Sequence, residues 1–143
     1  MSNATVVVPE GLVEKIKREA EETYPEECCG ILIGTANGTE KNVSRLYGTQ
    51  NVHSDNKERR FMISPADFKK AEQVARDADA EIIGFYHSHP DHPAVPSEHD
   101  REYAWPWYLY LIVSVENGKS SAIEGWELRD DRKSYEKIAI TIS

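Results

Sequence analysis

Apolar residues recur along this chain in two periods, and the switch between them predicts the elements. Thr5 to Val8 is a β-branched run, which predicts a strand. Pro9 opens a helix, a position where its missing N–H costs nothing. Leu12, Val13, Ile16 and Ala20 then repeat at helical spacing to about Tyr24, and Pro25 ends the helix. Cys28 to Thr35 is almost continuously apolar, as in a strand covered on both faces. Asn37-Gly38 signals a hairpin turn, so a second strand is expected from about Glu40 to Asn51. Residues 53–60 are polar and predict a loop, and Phe61 to Ile63 a short strand. Ser64, Pro65 and Asp67 form a helix-capping pattern before Phe68, Ala71, Val74, Ala75 and Ala78. Glu81 to His89 predicts a strand, Ser97 to Ala104 a short helix, and Trp107 to Val115 a strongly apolar strand. Asn117-Gly118 is a second hairpin signal, and Ser120 to Leu128 and Ser134 to Ile142 complete the strands. Strands and helices interspersed with hairpins imply a mixed β-sheet flanked by helices, an α/β (α+β) domain.

Length changes this picture little: 143 residues is a common domain size, so residues 5–143 are expected to form a single domain. The opening Met-Ser-Asn-Ala, residues 1–4, resembles an expression-tag remnant and is set apart from the fold. A net charge of −8 argues against nucleic acid as the partner. Apolar runs are too short to span a membrane, and no secretory-leader pattern opens the chain. Cys28 and Cys29 are neighbours with no third cysteine, so a disulfide framework is not expected. A reducing, cytoplasmic setting fits that usage best.

The candidate chemistry is concentrated at 87–100, HSHPDHPAVPSEHD, with four histidines, two aspartates and three prolines. In a strand, alternate residues share a face, so Ile83, Phe85, His87 and His89 are expected on one side. Two imidazoles at that spacing can reach one ion, and Pro90 stops the strand just beyond them. Asp100 follows eleven residues after His89, with Ser97 three residues before it. Two histidines and a carboxylate suit zinc, with the fourth tetrahedral position left open for water, as in a catalytic site. Such a water needs a base. Glu27 lies at the start of a strand predicted to be buried, where a glutamate is costly unless it is used. Glu26 is its rival, on the opposite face if the strand begins early. The Ser-x-x-Asp pattern at 97–100 also fits a plain helix cap, and both roles are compatible.

The combination of Glu27-x-x-Gly30 in strand context, His87-Ser88-His89-Pro90 and Ser97-x-x-Asp100 resembles the JAMM (MPN-plus, JAB-domain) metalloproteases over nearly the whole chain. The resemblance implies a JAB/MPN-like, cytidine-deaminase-like fold. It implies Zn²⁺ held by His87, His89 and Asp100, Glu27 rather than Glu26 as general acid/base, and Ser97 as donor to the oxyanion. Short loops resemble the compact prokaryotic members that process ubiquitin-like sulfur carriers. The implied partner is a small β-grasp sulfur-carrier protein, cut after its C-terminal Gly-Gly. Isopeptide deconjugation and a non-catalytic scaffold are the alternatives. An extended carrier tail is expected to add along an exposed sheet edge. Cys28 and Cys29 are expected as small buried residues, His92 and His99 as exposed ones. Tyr103, Trp105, Trp107, Tyr108 and Tyr110 are expected mainly in the core, with one tryptophan near the groove.

Overall fold

The computed structural model describes residues 4–143. Residues 1–3 of the proposed tag remnant lie outside the described residues, whereas Ala4 packs against the main core. The elements run β1 (Thr5–Val8), α1 (Glu10–Thr23), β2 (Cys29–Asn37), β3 (Glu40–Thr49), α2 (Pro65–Asp77), β4 (Glu81–Pro90), α3 (Glu98–Tyr103), β5 (Leu109–Glu116), β6 (Lys119–Leu128) and β7 (Tyr135–Ile142). The mixed sheet with flanking helices is the architecture the periodicity implies.

Local chemistry explains most boundaries. Pro9 is the N-cap of α1, one position earlier than the first helical turn. Ser64 caps α2 by accepting the Asp67 N–H at 3.1 Å, with Pro65 in the first turn. Gly38 and Gly118 take positive φ (64° and 85°) at the two hairpin turns.

The sheet order β1-β3-β2-β4-β5-β6-β7 closes on itself, because β1 pairs parallel with both β3 and β7. Its concave face wraps α1, whose Val13, Ile16 and Ala20 meet Val6, Leu32, Tyr86 and Leu111 in the largest core cluster. On the outer face α2 sets Ala71 and Ala75 on Ile31, Ile33 and Ile82. At one end of the wrapped sheet Lys41 reaches across to Glu127 at 3.1 Å, beneath the Trp107 ring at 4.5 Å.

The strand order narrows one expectation. β4, which carries the histidines, lies between β2 and β5, so it offers no free edge to an extended tail. Three local expectations also change. Phe61 to Ile63 is no strand; that segment makes one backbone bond, Val52 N to Met62 O at 2.9 Å, and no ladder. β5 begins at Leu109, because Trp107 has a left-handed φ of 80°. Ile83 leaves the face of Phe85 and His87 and joins the α1 cluster, while Ile82 takes its place under α2. The cause is a register shift against β2 between Leu32 and Ile33, an extra residue that reverses the alternation below it.

Two pairings position the site. β4 runs antiparallel to β2 with Cys29 opposite His87, so the same register continued brings Glu27 beside His89. β4 and β5 are parallel, which requires a crossover, and the crossover carries α3 back over the end of β4. Gly84 lets β5 approach: a Cβ there would lie 2.0 Å from the Leu109 carbonyl oxygen. Gly84→Ala should therefore destabilise the protein by at least about 2 kcal/mol in urea unfolding, since backbone must move to admit the methyl. Unchanged stability would mean the β4–β5 contact is not tight.

Candidate metal centre

The alternation of β4 points His87 and His89 to the same side, and the crossover brings Asp100 to meet them. His87 Nε2 and His89 Nε2 are 3.2 Å apart, and Asp100 Oδ2 is 3.3 Å and 3.1 Å from them. All three residues are buried. His89 Nδ1 lies 2.8 Å from the Pro93 carbonyl oxygen, which can only accept. Nδ1 therefore carries a proton, and Nε2 is the ring atom turned toward the carboxylate oxygen, the one that would be left to bind an ion. Two ligands about 2.05 Å from an ion at tetrahedral angles stand about 3.3 Å apart, so the observed triangle fits a transition-metal ion. Among the described residues this is the group of histidine and carboxylate side chains with metal-site spacing.

Asp100 is held from behind. It is the third residue of α3, where Ser97 Oγ accepts its N–H at 3.0 Å and its Oδ2 accepts the Ser97 N–H at 2.9 Å. The capping box and the convergence of ligands thus occur together. Burial favours the neutral form of Asp100, but the adjoining imidazoles of His87 and His89 outweigh it and keep the carboxylate ionised. Burial likewise keeps His87 neutral, the state a ligand needs.

Glu27 sits just before β2, 1% exposed, whereas Glu26 beside it is exposed. Burial first, and the charge of Asp100 second, push its carboxyl up to about 9. Its Oε1 has no hydrogen-bond partner, and neither has His87 Nδ1. A buried carboxyl without a fixed partner is suited to receiving and releasing a proton.

Ser88, Phe61 and Asn51 are contributors that the motif pattern does not reveal. Ser88 points away from the ligands, and its Oγ accepts the Cys28 N–H at 2.8 Å, tying the residue after Glu27 to the strand of His87 and His89. The Phe61 ring stacks on His87 with centroids 4.4 Å apart. Asn51 binds backbone on both sides of the loop that carries Phe61. Ser88 is signalled only by being a polar residue on a buried strand; Phe61 and Asn51 carry no local signal.

A cavity of about 1140 Å³ opens onto His87 and Asp100. Phe85, Tyr108 and Tyr110 line it beneath Phe68 of α2, with Tyr103 and Trp105 on the far wall. Of the aromatic group expected in the core, Tyr110 is buried, while Tyr103, Trp105 and Trp107 are exposed (68%, 64% and 45%). His92 and His99 are partly covered rather than exposed, His92 edge-on to His89 and His99 against Tyr103. Cys28 and Cys29 are buried free thiols, pushed by burial to about 12 and about 11, so neither is a ready nucleophile.

Comparison with known proteins now names the class. The family described as prokaryotic homologs of the JAB domain matches residues 9–129, and the chain belongs to it. It is 35% identical over 109 residues to the desampylase of Haloferax volcanii, covering 74% of this chain and 76% of that one. It is 29% identical over 122 residues to the probable TtuB-protein conjugate cleaving protease of Thermus thermophilus, covering 85% and 78%. With the CysO-cysteine peptidase of Mycobacterium tuberculosis it shares 24% over 136 residues, covering 94% and 90%. The solution structure of protein DSY2949 from Desulfitobacterium hafniense superposes with a TM-score of 0.85 at 26% identity, covering 97% and 93%.

The buried carboxyl makes a prediction for the metal-free protein. Folded Glu27 keeps its proton to about pH 9, whereas its ordinary value is 4.5. Its folded value is raised, so the stability tied to it is full below 4.5 and is lost as pH rises toward 9. In chelator, unfolding at about pH 5 and about pH 8 should show wild type losing stability relative to Glu27→Gln. Parallel pH profiles would mean that Glu27 is not desolvated.

Proposed function

We propose that this chain is a zinc-dependent peptidase that hydrolyses the amide bond after the C-terminal Gly-Gly of a small ubiquitin-like sulfur-carrier protein. The products are the carrier and a released cysteine or short extension. The observation that carries this reading is the convergence of His87 Nε2, His89 Nε2 and Asp100 Oδ2 within 3.3 Å of one another, with the buried Glu27 in register opposite. Peptidase and conjugate-cleaving relatives of similar length support the substrate class. Residues 5–143 form the catalytic unit in this reading, and the free buried thiols of Cys28 and Cys29 suit a cytoplasmic setting.

His87, His89 and Asp100 would hold the ion, His89 kept in its tautomer by Pro93 and His87 covered by Phe61. A bound zinc ion supplies Lewis acidity, which polarises a carbonyl and makes water a nucleophile near neutral pH. Burial keeps Glu27 protonated in the metal-free protein, an effect that the charge of a bound dication would offset; the resulting carboxylate, unpartnered at Oε1, takes the proton of the attacking water and delivers it to the leaving amine. Ser97 Oγ accepts from Asp100 N, so its own hydroxyl proton remains free to donate to the developing oxyanion. With no free edge on β4, the carrier tail lies in the aromatic-walled cavity instead of extending the sheet. Glycines next to the scissile bond would suit an approach past Phe61 and Asp100, both of which line the cavity.

Cleavage of the same carrier from a lysine side chain is the second reading, favoured by the relative named as a conjugate-cleaving protease. A purely scaffolding role would leave the burial of Glu27 without a purpose.

Intact-mass spectrometry of zinc-loaded protein with a Gly-Gly-extended carrier and an isopeptide-linked carrier tests both readings. Loss of the extension after Gly-Gly is expected. No cleavage of either substrate, with zinc verified as bound, would overturn the assignment. Glu27→Gln should retain zinc and lose activity by about 10³-fold or more, and near-normal turnover would exclude it as the base. His89→Ala should lose both metal and activity. Asp100→Asn should weaken zinc, and unchanged affinity would leave Asp100 only its capping role. Alanine in place of either tail glycine should slow cleavage, and equal rates would exclude the narrow approach.

A further inference from the structure

We propose that Asn51 is a positioning residue for Glu27, fixing the carboxylate through the backbone that bears it; this rests on Glu27 being the acid/base of the proposed reaction. Glu27 belongs to no helix or strand, and nothing at its tip holds it, since Oε1 is unpartnered. Its place must come from its own backbone and the neighbouring peptides. Those are clamped from two sides. On the β4 side, Ser88 Oγ accepts the Cys28 N–H at 2.8 Å and the Ser88 N–H donates to the Cys28 carbonyl at 3.2 Å. On the other side, the Glu27 N–H donates to the Lys57 carbonyl at 2.7 Å, and Asn51 Nδ2 donates to the Glu27 carbonyl at 3.1 Å.

Asn51 also holds that second clamp in shape. Its Nδ2 donates to the Arg60 carbonyl at 2.9 Å, and its Oδ1 accepts the N–H groups of His53 at 3.0 Å and Met62 at 3.1 Å. Two donor and two acceptor contacts use the full capacity of one carboxamide. They close the segment between residues 51 and 62, which has no ladder of its own and carries both Lys57 and Phe61. One side chain therefore sets the Glu27 carbonyl directly, the Glu27 N–H through Lys57, and the ring stacked on His87 through Phe61. A carboxylate in its place keeps the acceptor half, which holds His53 and Met62, and loses the donor half, which holds Glu27 and Arg60. The two functions can therefore be separated.

The test uses the full zinc-loaded chain carrying Asn51→Ala or Asn51→Asp. Amide hydrogen exchange by NMR should show Glu27 protection reduced about tenfold in both, with Cys28, held by Ser88, changed less than about threefold. On the extended carrier, kcat should fall by about 10²-fold in both with KM and bound zinc little changed. In the Glu27→Gln background, adding Asn51→Ala should cost about tenfold less than it costs in wild type, because the residue it positions is already disabled and only the support of Phe61 is lost. Three results would overturn the proposal. They are unchanged Glu27 protection, wild-type kcat in Asn51→Asp, or an equal loss in the two backgrounds. If wild type cleaves no carrier, the functional reading fails, while the exchange measurement still decides the role of Asn51.

Discussion

The pairing of β4 with two neighbours of opposite sense is the constraint on which the site depends. Its antiparallel ladder with β2 sets Cys29 opposite His87 and so delivers Glu27 to the neighbourhood of His89. Its parallel ladder with β5 forces a crossover, and that crossover returns Asp100 to the same point. Candidate ligands separated by eleven residues and a candidate base sixty residues upstream of the first histidine meet because one strand has both partners. The close approach at Gly84 and the wrapping of the sheet around α1 serve the same geometry by holding β4 fixed.

This arrangement has a cost. Glu27, His87, His89 and Asp100 are buried polar groups, and two of their atoms are without hydrogen bonds. An unsatisfied buried polar atom typically costs about 1–3 kcal/mol, which a purely structural core would avoid. The surrounding fold tolerates it through continuous apolar packing on both faces of the β2–β4 pair. Burial also shapes the chemistry: it keeps His87 neutral and, in the metal-free protein, holds Glu27 protonated, so that a cation arriving at the site would be needed to free the carboxylate. The backbone around Glu27 is fixed from both sides while its carboxyl tip is left free, the combination expected of a group that must be placed and must also move a proton.

Local patterns in the sequence determined a good part of this. The hairpins at Asn37-Gly38 and Asn117-Gly118, the cap at Ser64 and the shared face of His87 and His89 all follow from chemistry within a few residues. The Ser97–Asp100 box is equally local, so the cap was readable, and the fold adds that the capped carboxylate also faces His87 and His89. The resemblance of the motif to the JAMM family selected Glu27 over Glu26, a choice the strand pattern alone left open; burial of one and exposure of the other agree with it.

Only the tertiary structure decided the remainder, because it depends on register and burial between distant segments. Closure by β1, which pairs with strands on either side, has no local signature, and neither has the placing of β4 between β2 and β5, which leaves the histidine strand without a free edge. The shift beside Ile83 arises from β2 facing β4 unevenly, so strict alternation along β4 misplaced that side chain. Tyr103 and Trp105 have core-like composition yet stand exposed on the wall of the cavity, where the crossover meets only His99 and Arg132 beside their rings. Asn51 looked like the end of a strand. Its carboxamide acquired a role only when folding brought the carbonyl of Glu27 within reach.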